Sequence, residues 1–145
     1  MLLYGILVLI ALLLVGGFVR GWQSQSSPEL GLVGGHLRAC PDKPNCVCSE
    51  TNSDDKVHAI AGFSASDWPA LRQAIAAAGG RIVQDDGHYL HATFTSRLFR
   101  FVDDVELHRD DVQGVVQVRS ASRVGQSDFG VNRKRVEAIR GRLKP

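Results

Sequence analysis

Phe99-Arg-Phe-Val-Asp-Asp-Val-Glu-Leu107 and the later run Gly114-Val-Val-Gln-Val-Arg-Ser-Ala-Ser-Arg123 decide how this chain folds. Side chains alternate along a strand, so Phe99, Phe101, Asp103, Val105 and Leu107 fall on one face. Asp103 therefore lies in an apolar row, while Asp104 and Glu106 share the opposite face. The second run reads as the antiparallel partner. Matching apolar with apolar sets Leu107 opposite Val116, Val105 opposite Val118, Asp103 opposite Ser120 and Asp104 opposite Arg119. A slip by one residue would put Gln117 against Val105 and spoil the core. In this register Asp104 and Arg119 make a cross-strand ion pair. Asp103 is the costlier group: without donors its burial is penalised by several kcal/mol. Ser120, Ser122 and Arg123 are the donors at hand.

Upstream lies a second hairpin. Arg81-Ile-Val-Gln-Asp85 and His88-Tyr-Leu-His-Ala-Thr-Phe94 flank Asp86-Gly87, a dipeptide suited to a primed two-residue turn. That turn pairs Val83 with Leu90 and places Leu90, Ala92 and Phe94 on one face, Tyr89, His91 and Thr93 on the other. Before it, Ser64 to Pro69 reads as a helix start, with Ser66 or Asp67 capping and Pro69 in the first turn. Leu71, Ile75 and Ala78 share one face of that helix, which stops at Gly79-Gly80. Lys56 to Gly62 reads as a short edge strand. A last helix runs from Phe129 to Leu143 on a stripe of Val136, Ile139 and Leu143, with Ser127 or Asp128 capping. Arg133, Lys134, Arg140 and Lys144 point outward, and Arg135 and Arg142 flank the stripe. The order strand, helix, four strands, helix predicts an α+β fold: an antiparallel sheet of about four to five strands with two helices packed on one face.

Met1 to Val19 carries no charged side chain. Nineteen helical residues rise about 28 Å, close to the roughly 30 Å of a bilayer's hydrocarbon core. Arg20 and Trp22 follow at once, as interface residues do. Residues 1–20 are thus a transmembrane anchor or a signal segment, and residues 1–19 take the lipid bilayer as partner. No Lys or Arg precedes the run, which favours the anchor; Val15-Gly16-Gly17 would suit a signal peptidase. Residues 21–38, rich in Gln, Ser and Gly, read as a flexible tether. Residues 39–145 then form a single soluble α+β domain; the whole chain's 44% apolar and 22% charged residues are of an ordinary globular kind. A net charge of +2 is too small to imply nucleic acid, and the basic helix lacks interleaved aromatics.

Cys40-Pro-Asp-Lys-Pro-Asn-Cys46-Val-Cys48 is a tight loop stiffened by Pro41 and Pro44. Folding back, it brings Cys40 to Cys46, and in an oxidising compartment these form a disulfide that leaves Cys48 free. Two other readings stay open: a metal site completed by His58, although the spacing is not a common zinc pattern, and a reactive thiolate at Cys48.

Charge is unevenly spread, acidic across Asp103 to Asp111 and basic from Arg119 to Lys144. Guanidinium forks, hydroxyls and glycines crowd Arg119 to Arg135, where a strand hands over to a helix, the usual ingredients of an anion site. Arg119, Arg123 and Arg133 would supply charge, Ser120, Ser122, Ser127 and Asn132 hydrogen bonds, and Gly125 and Gly130 close backbone approach. The plainer reading is that these groups lock the last helix to the sheet through Asp103, Asp104 and Asp128. Candidate partners are a small anionic ligand or a lipid headgroup; no cofactor is implied. The enzymatic alternative is a metal-dependent hydrolase that uses Asp104 and Glu106, two apart on one face, with His91 as proton carrier. No nucleophile elbow, P-loop or dinucleotide fingerprint is present.

Three motifs together, Cys-Pro-x-x-Pro-Asn-Cys, Phe-Arg-Phe-Val-Asp-Asp-Val-Glu and Arg-Ser-Ala-Ser-Arg-Val-Gly-x-Ser-Asp-x-Gly-x-Asn-Arg-x-Arg, resemble the domain-of-unknown-function 1499 family over about Cys40 to Leu143. The resemblance implies a membrane-associated or exported domain, periplasmic or lumenal, to which the apolar run at residues 1–19 adds a single membrane pass. It also marks Cys40 and Cys46 as the pair and Cys48 as the extra cysteine, since the family usually carries Ser there. It implies no activity.

Overall fold

The computed structural model describes residues 1–143, so the expected outward position of Lys144 lies outside the described residues. α1 (Leu2–Gln23) is followed by the short hairpin β1 (Leu32–Val33) and β2 (His36–Leu37). β3 (Cys46–Cys48), β4 (Phe63–Ser64), α2 (Trp68–Ala77), β5 (Arg81–Asp85), β6 (Tyr89–Thr95), β7 (Val102–Asp110), β8 (Val115–Ser122) and α3 (Val131–Gly141) complete the chain. The fold is α+β, with an antiparallel sheet in the order β3-β8-β7-β6-β5. β4 shares the β8 edge with β3, pairing Phe63 with Val116 while β3 pairs Cys46 with Ala121. The main sheet thus has six strands, more than the four or five expected, because two very short strands fill one edge.

Both later helices pack on one face of the sheet. Leu71, Ile75, Leu90, Val105, Leu107, Val116, Val118, Val136 and Ile139 are all essentially inaccessible there. The edge strand expected at Lys56 to Gly62 is instead a turn with an isolated bridge at Ala59, and pairing begins at Phe63. Asp67 takes the expected N-cap position of α2 but its side chain makes no cap bond there; the side-chain cap sits at Ser64, two residues before Ser66. Ser64 accepts from the Ser66 N–H, and Asp67 reaches back to the Ser64 N–H, a capping box on a short 3-10 turn leading into α2. At α3 Asp128 caps as expected, accepting from the Gly130 and Asn132 N–H groups.

Both hairpins keep their expected faces but change partners. In β5–β6 the Asp86 carboxylate takes the His88 and Tyr89 N–H groups, so Gly87-His88 becomes the turn. Gly87 sits at φ +92°, where a Cβ would be strained. Asp85 then pairs with Leu90, and Val83, expected opposite Leu90, is left in a bulge. In β7–β8 the Asp110 carboxylate caps the Val112 and Gln113 N–H groups and tightens the turn. Leu107 faces Val118, Asp103 faces Ser122 and Glu106 faces Arg119. The register is shifted by two residues from the expected one, which leaves Asp103 to Leu107 on their expected faces. Phe99 and Phe101, expected in the same row, instead lie in the loop before β7, with Phe99 against Phe18 of α1.

Residues 21–38, read as a tether, lie against the sheet. Gly21–Gln23 is the last turn of α1, and the Gly31 N–H donates to Glu106 Oε1 at 2.8 Å. The Leu37 N–H donates to Glu50 Oε2 at 2.6 Å, and the Leu37 side chain is buried against Cys48 and Tyr89. The segment forms a strap across the sheet face that the helices leave open.

Candidate functional site

Asp103 and Asp104 are neighbours in sequence and point to opposite faces of β7, and each sits in its own network. On the helix face, Arg135 Nη2 donates to Asp103 Oδ2 at 2.5 Å, with its guanidinium 4.7 Å over the Phe94 ring. The donors expected for Asp103 were Ser120, Ser122 or Arg123; the shifted register hands that role to Arg135, one turn into α3. Asn132, fully buried, is the hub beside it. Its Oδ1 accepts from Ser120 Oγ at 2.6 Å and Arg135 Nη1 at 2.5 Å. Its Nδ2 donates to the Asn45 carbonyl, Ser122 Oγ and Asp128 Oδ2. Asn45 Nδ2 donates in turn to the Gly125 carbonyl at 2.9 Å. This network ties α3, the β8 end and the disulfide loop together.

On the strap face, Asp104 is 2% exposed and Glu106 fully buried. Arg123 holds Asp104 with two parallel bonds, Nε to Oδ2 and Nη2 to Oδ1, both 2.8 Å, and His91 Nε2 lies 2.8 Å from Oδ1. The third guanidinium nitrogen of Arg123 donates to the carbonyls of Ser24 and Gln25 at 3.2 and 3.1 Å. Glu106 takes Tyr89 Oη at 2.7 Å and Gly31 N on Oε1, and Arg119 Nη1 at 3.0 Å on Oε2. The expected Asp104–Arg119 pair is therefore replaced by Asp104–Arg123 and Glu106–Arg119. Asp104 and Glu106 do share a face, yet each has its own arginine, and among the described residues no cluster of three metal-capable side chains forms.

Burial pushes the Asp104 carboxyl up, but the hydrogen bonds from Arg123 and His91 outweigh it and hold the group below the usual carboxylate range. A depressed folded-state value stabilises the fold above the unfolded value of about 3.9. That contribution drains away as pH falls from there through the lower folded value. Acid titration of unfolding stability is expected to show this loss below about pH 4, and Asp104→Asn to remove that part of the acid limb. Burial and the Glu106 carboxylate both push the Tyr89 phenol up, so it remains a donor.

Arg133 donates to the Ala59 and Val57 carbonyls, and Arg140 to the Gly62 and Ala61 carbonyls with its guanidinium 4.6 Å over the Phe63 ring. Both were expected to point outward; they pin the irregular segment before β4. Ser127 Oγ accepts from the Phe129 N–H. Five of the candidate site residues, Ser122, Gly125 and Ser127 from the ligand reading and Asp103 and Asp128 from the lock, line one recess of about 320 Å³ together with Arg20 of α1. Asp104, Arg119, Ser120, Arg123, Asn132 and Arg133 do not. Tyr89, Arg135, Asn45 and Ser24 were missed as site residues; Tyr89 had a signal in its place beside His91 on the polar face of β6, and Arg135 in its place flanking the buried stripe of α3.

Cys40 and Cys46 form the expected disulfide, with Cα atoms 5.6 Å apart. Cys48 is a free thiol, 1% exposed, and burial pushes its pKa up. His58 lies between Asp55 Oδ2 at 2.7 Å and the Lys43 carbonyl at 3.1 Å, bracing the disulfide loop from outside.

Residues 36–143 match a family model described as "Protein of unknown function (DUF1499)". No curated protein and no solved structure matches the chain.

Proposed function

The chain belongs to the DUF1499 family of proteins of unknown function, and from that premise we propose a membrane-anchored, extracytoplasmic binding module that holds a phosphate-bearing lipid headgroup. α1 is long and apolar enough to cross a membrane, with a mean hydropathy of 2.8 over its best window. The Cys40–Cys46 disulfide is compatible with a periplasmic or lumenal compartment. The observation that carries the binding reading is the recess of about 320 Å³ at the end of α1. Phe101, Val124, Phe129 and Val131 form its apolar wall, and Ser122 and Ser127 offer hydroxyls and Arg20 a cation. The Asp103 and Asp128 carboxylates that also line it are engaged by Arg135 and by the start of α3. An apolar pocket with a few convergent polar groups suits an amphiphile better than a free ion. The arginines of the Arg119–Arg135 segment support this site from behind: they are engaged with Asp103, Asp104, Glu106 and backbone carbonyls.

The test is a melting series on the full chain in detergent with inorganic phosphate, glycerol phosphate and a short-chain phosphatidylglycerol. The phosphatidylglycerol is expected to raise the Tm, equivalent to about 2.7 kcal/mol at a hundred times its Kd. Val131→Trp, at an exposed position on the recess wall, is expected to abolish that shift without lowering the Tm of the free protein. A shift that survives Val131→Trp, or none with any of the three compounds, contradicts the reading. An equal shift with inorganic phosphate would point to a free anion in place of a lipid.

A further inference from the structure

Helix and domain meet at Phe99. The Phe18 and Phe99 rings lie edge to face with centroids 5.5 Å apart, and Phe101 follows at 5.8 Å from Phe99. Gly17 and Gly21, one helical turn apart, make room for this contact. A side chain at Gly17 would run into the Phe99 ring, and a methyl group at Gly21 would overlap the Phe99 carbonyl oxygen. Below them Gln25 Nε2 donates to the Arg100 carbonyl at 2.8 Å, and the Val102 N–H donates to Ser24 Oγ at 3.0 Å. The loop Ser96–Phe101 is thereby fixed at the level of residues 17–21 of α1, where the apolar run gives way to Arg20 and Trp22.

The surface at this level is apolar and cationic. Leu98 is 63% exposed and Phe129 88%, with Arg20, Arg97 and Arg100 exposed beside them. Arg20, Ser96, Phe101 and Phe129 meet around one recess, so the loop and the Phe129 turn belong to one face. Arg100 and Phe129 both hold left-handed backbone, at φ 61° and 55°, a conformation strained for side chains of this size.

We propose that Ser96–Phe101 and Phe129 enter the headgroup layer of the bilayer that holds α1, so that the domain is seated on the membrane at a second point. The occupant of this surface is anionic lipid. Any depth that buries Phe18 brings Phe99 and Leu98 to the interface with it, because the two segments are in contact. Large apolar side chains are stable at that depth, and the three arginines reach phosphates from it. The proposal rests on α1 being a membrane anchor.

Single cysteines placed by Leu98→Cys, Phe129→Cys, Ile10→Cys and Val112→Cys would carry an environment-sensitive fluorophore. Labelling uses the folded full chain, in which Cys48 is buried and Cys40 and Cys46 are bonded to each other. The chain is then studied in vesicles of phosphatidylcholine with phosphatidylglycerol. Val112 is the control, 98% exposed and at the far end of β7, roughly 27 Å along the strand. Probes at 98 and 129 are expected to shift to the blue, to be quenched by spin-labelled lipid and to resist aqueous iodide, while the probe at 112 yields to iodide. If the probes at 98 and 129 yield to iodide as readily as the one at 112 while the probe at 10 is quenched by lipid, the second contact is overturned and the anchor stands. If the probe at 10 also yields to iodide, the anchor falls and the second contact with it.

Discussion

Arg123→Ala is expected to lower folding stability by about 3–5 kcal/mol, the range for breaking a buried pair from one side. Asp104 is 2% exposed and Arg123's side chain 8%, so solvent does not screen the loss. The variant leaves a buried carboxylate with His91 as its remaining side-chain partner. It also frees the Ser24 and Gln25 carbonyls, and with them the start of the strap. Denaturant unfolding of the full chain in detergent measures the first effect, and limited proteolysis between residues 24 and 31 the second. Arg123→Lys is expected to fall between wild type and alanine, because an ammonium keeps the charge but cannot make both parallel bonds. An alanine variant that unfolds with the wild type would remove the lock that the Arg119–Arg135 segment supplies.

The second large effect is expected at Glu106. Glu106→Leu leaves Arg119, 11% exposed, without its carboxylate, and leaves Tyr89 Oη and the Gly31 N–H without their acceptor. A loss of about 3–5 kcal/mol follows from the same argument. The double variant Glu106→Leu/Arg119→Met is expected to recover part of it, since the uncompensated charge is gone and buried volume is kept. Full additivity of the two single losses would show that the pair does not interact. The hydrolase alternative predicts a different pattern: chelator would lower the wild-type Tm, and calcium or magnesium would restore it. Glu106→Leu should then abolish that metal response.

The two faces of the sheet were readable because alternation along a strand is a local property. Leu90, Ala92, Phe94, Val105 and Leu107 entered the core as their parity required, and Asp104 and Glu106 faced away from it. The helix stripes, the Asp128 cap and the Cys40–Cys46 loop were equally local, each set by residues within one or two turns of one another. The pairing of charges was not. A two-residue change of register preserves parity, so hydrophobic matching cannot tell Asp104–Arg119 from Glu106–Arg119. The turn that selects between them depends on the Asp110 carboxylate bonding the Val112 and Gln113 N–H groups.

Residues 21–38 make the limit sharper. Their composition is that of a loose linker, and nothing in it announces that Gly31 will meet Glu106 or that Ser24 and Gln25 will meet Arg123. Those partners are separated by more than seventy positions, and sequence separation on that scale leaves no periodic trace. The chain alone therefore determined which strand side chains turn inward and, to within two residues, where the helices stop, since short-range sterics and solvation settle these. Which arginine neutralises which carboxylate, and that a linker-like stretch closes the open sheet face, was decided only when distant segments packed, because buried charges take whatever counter-charge the assembled fold brings within reach.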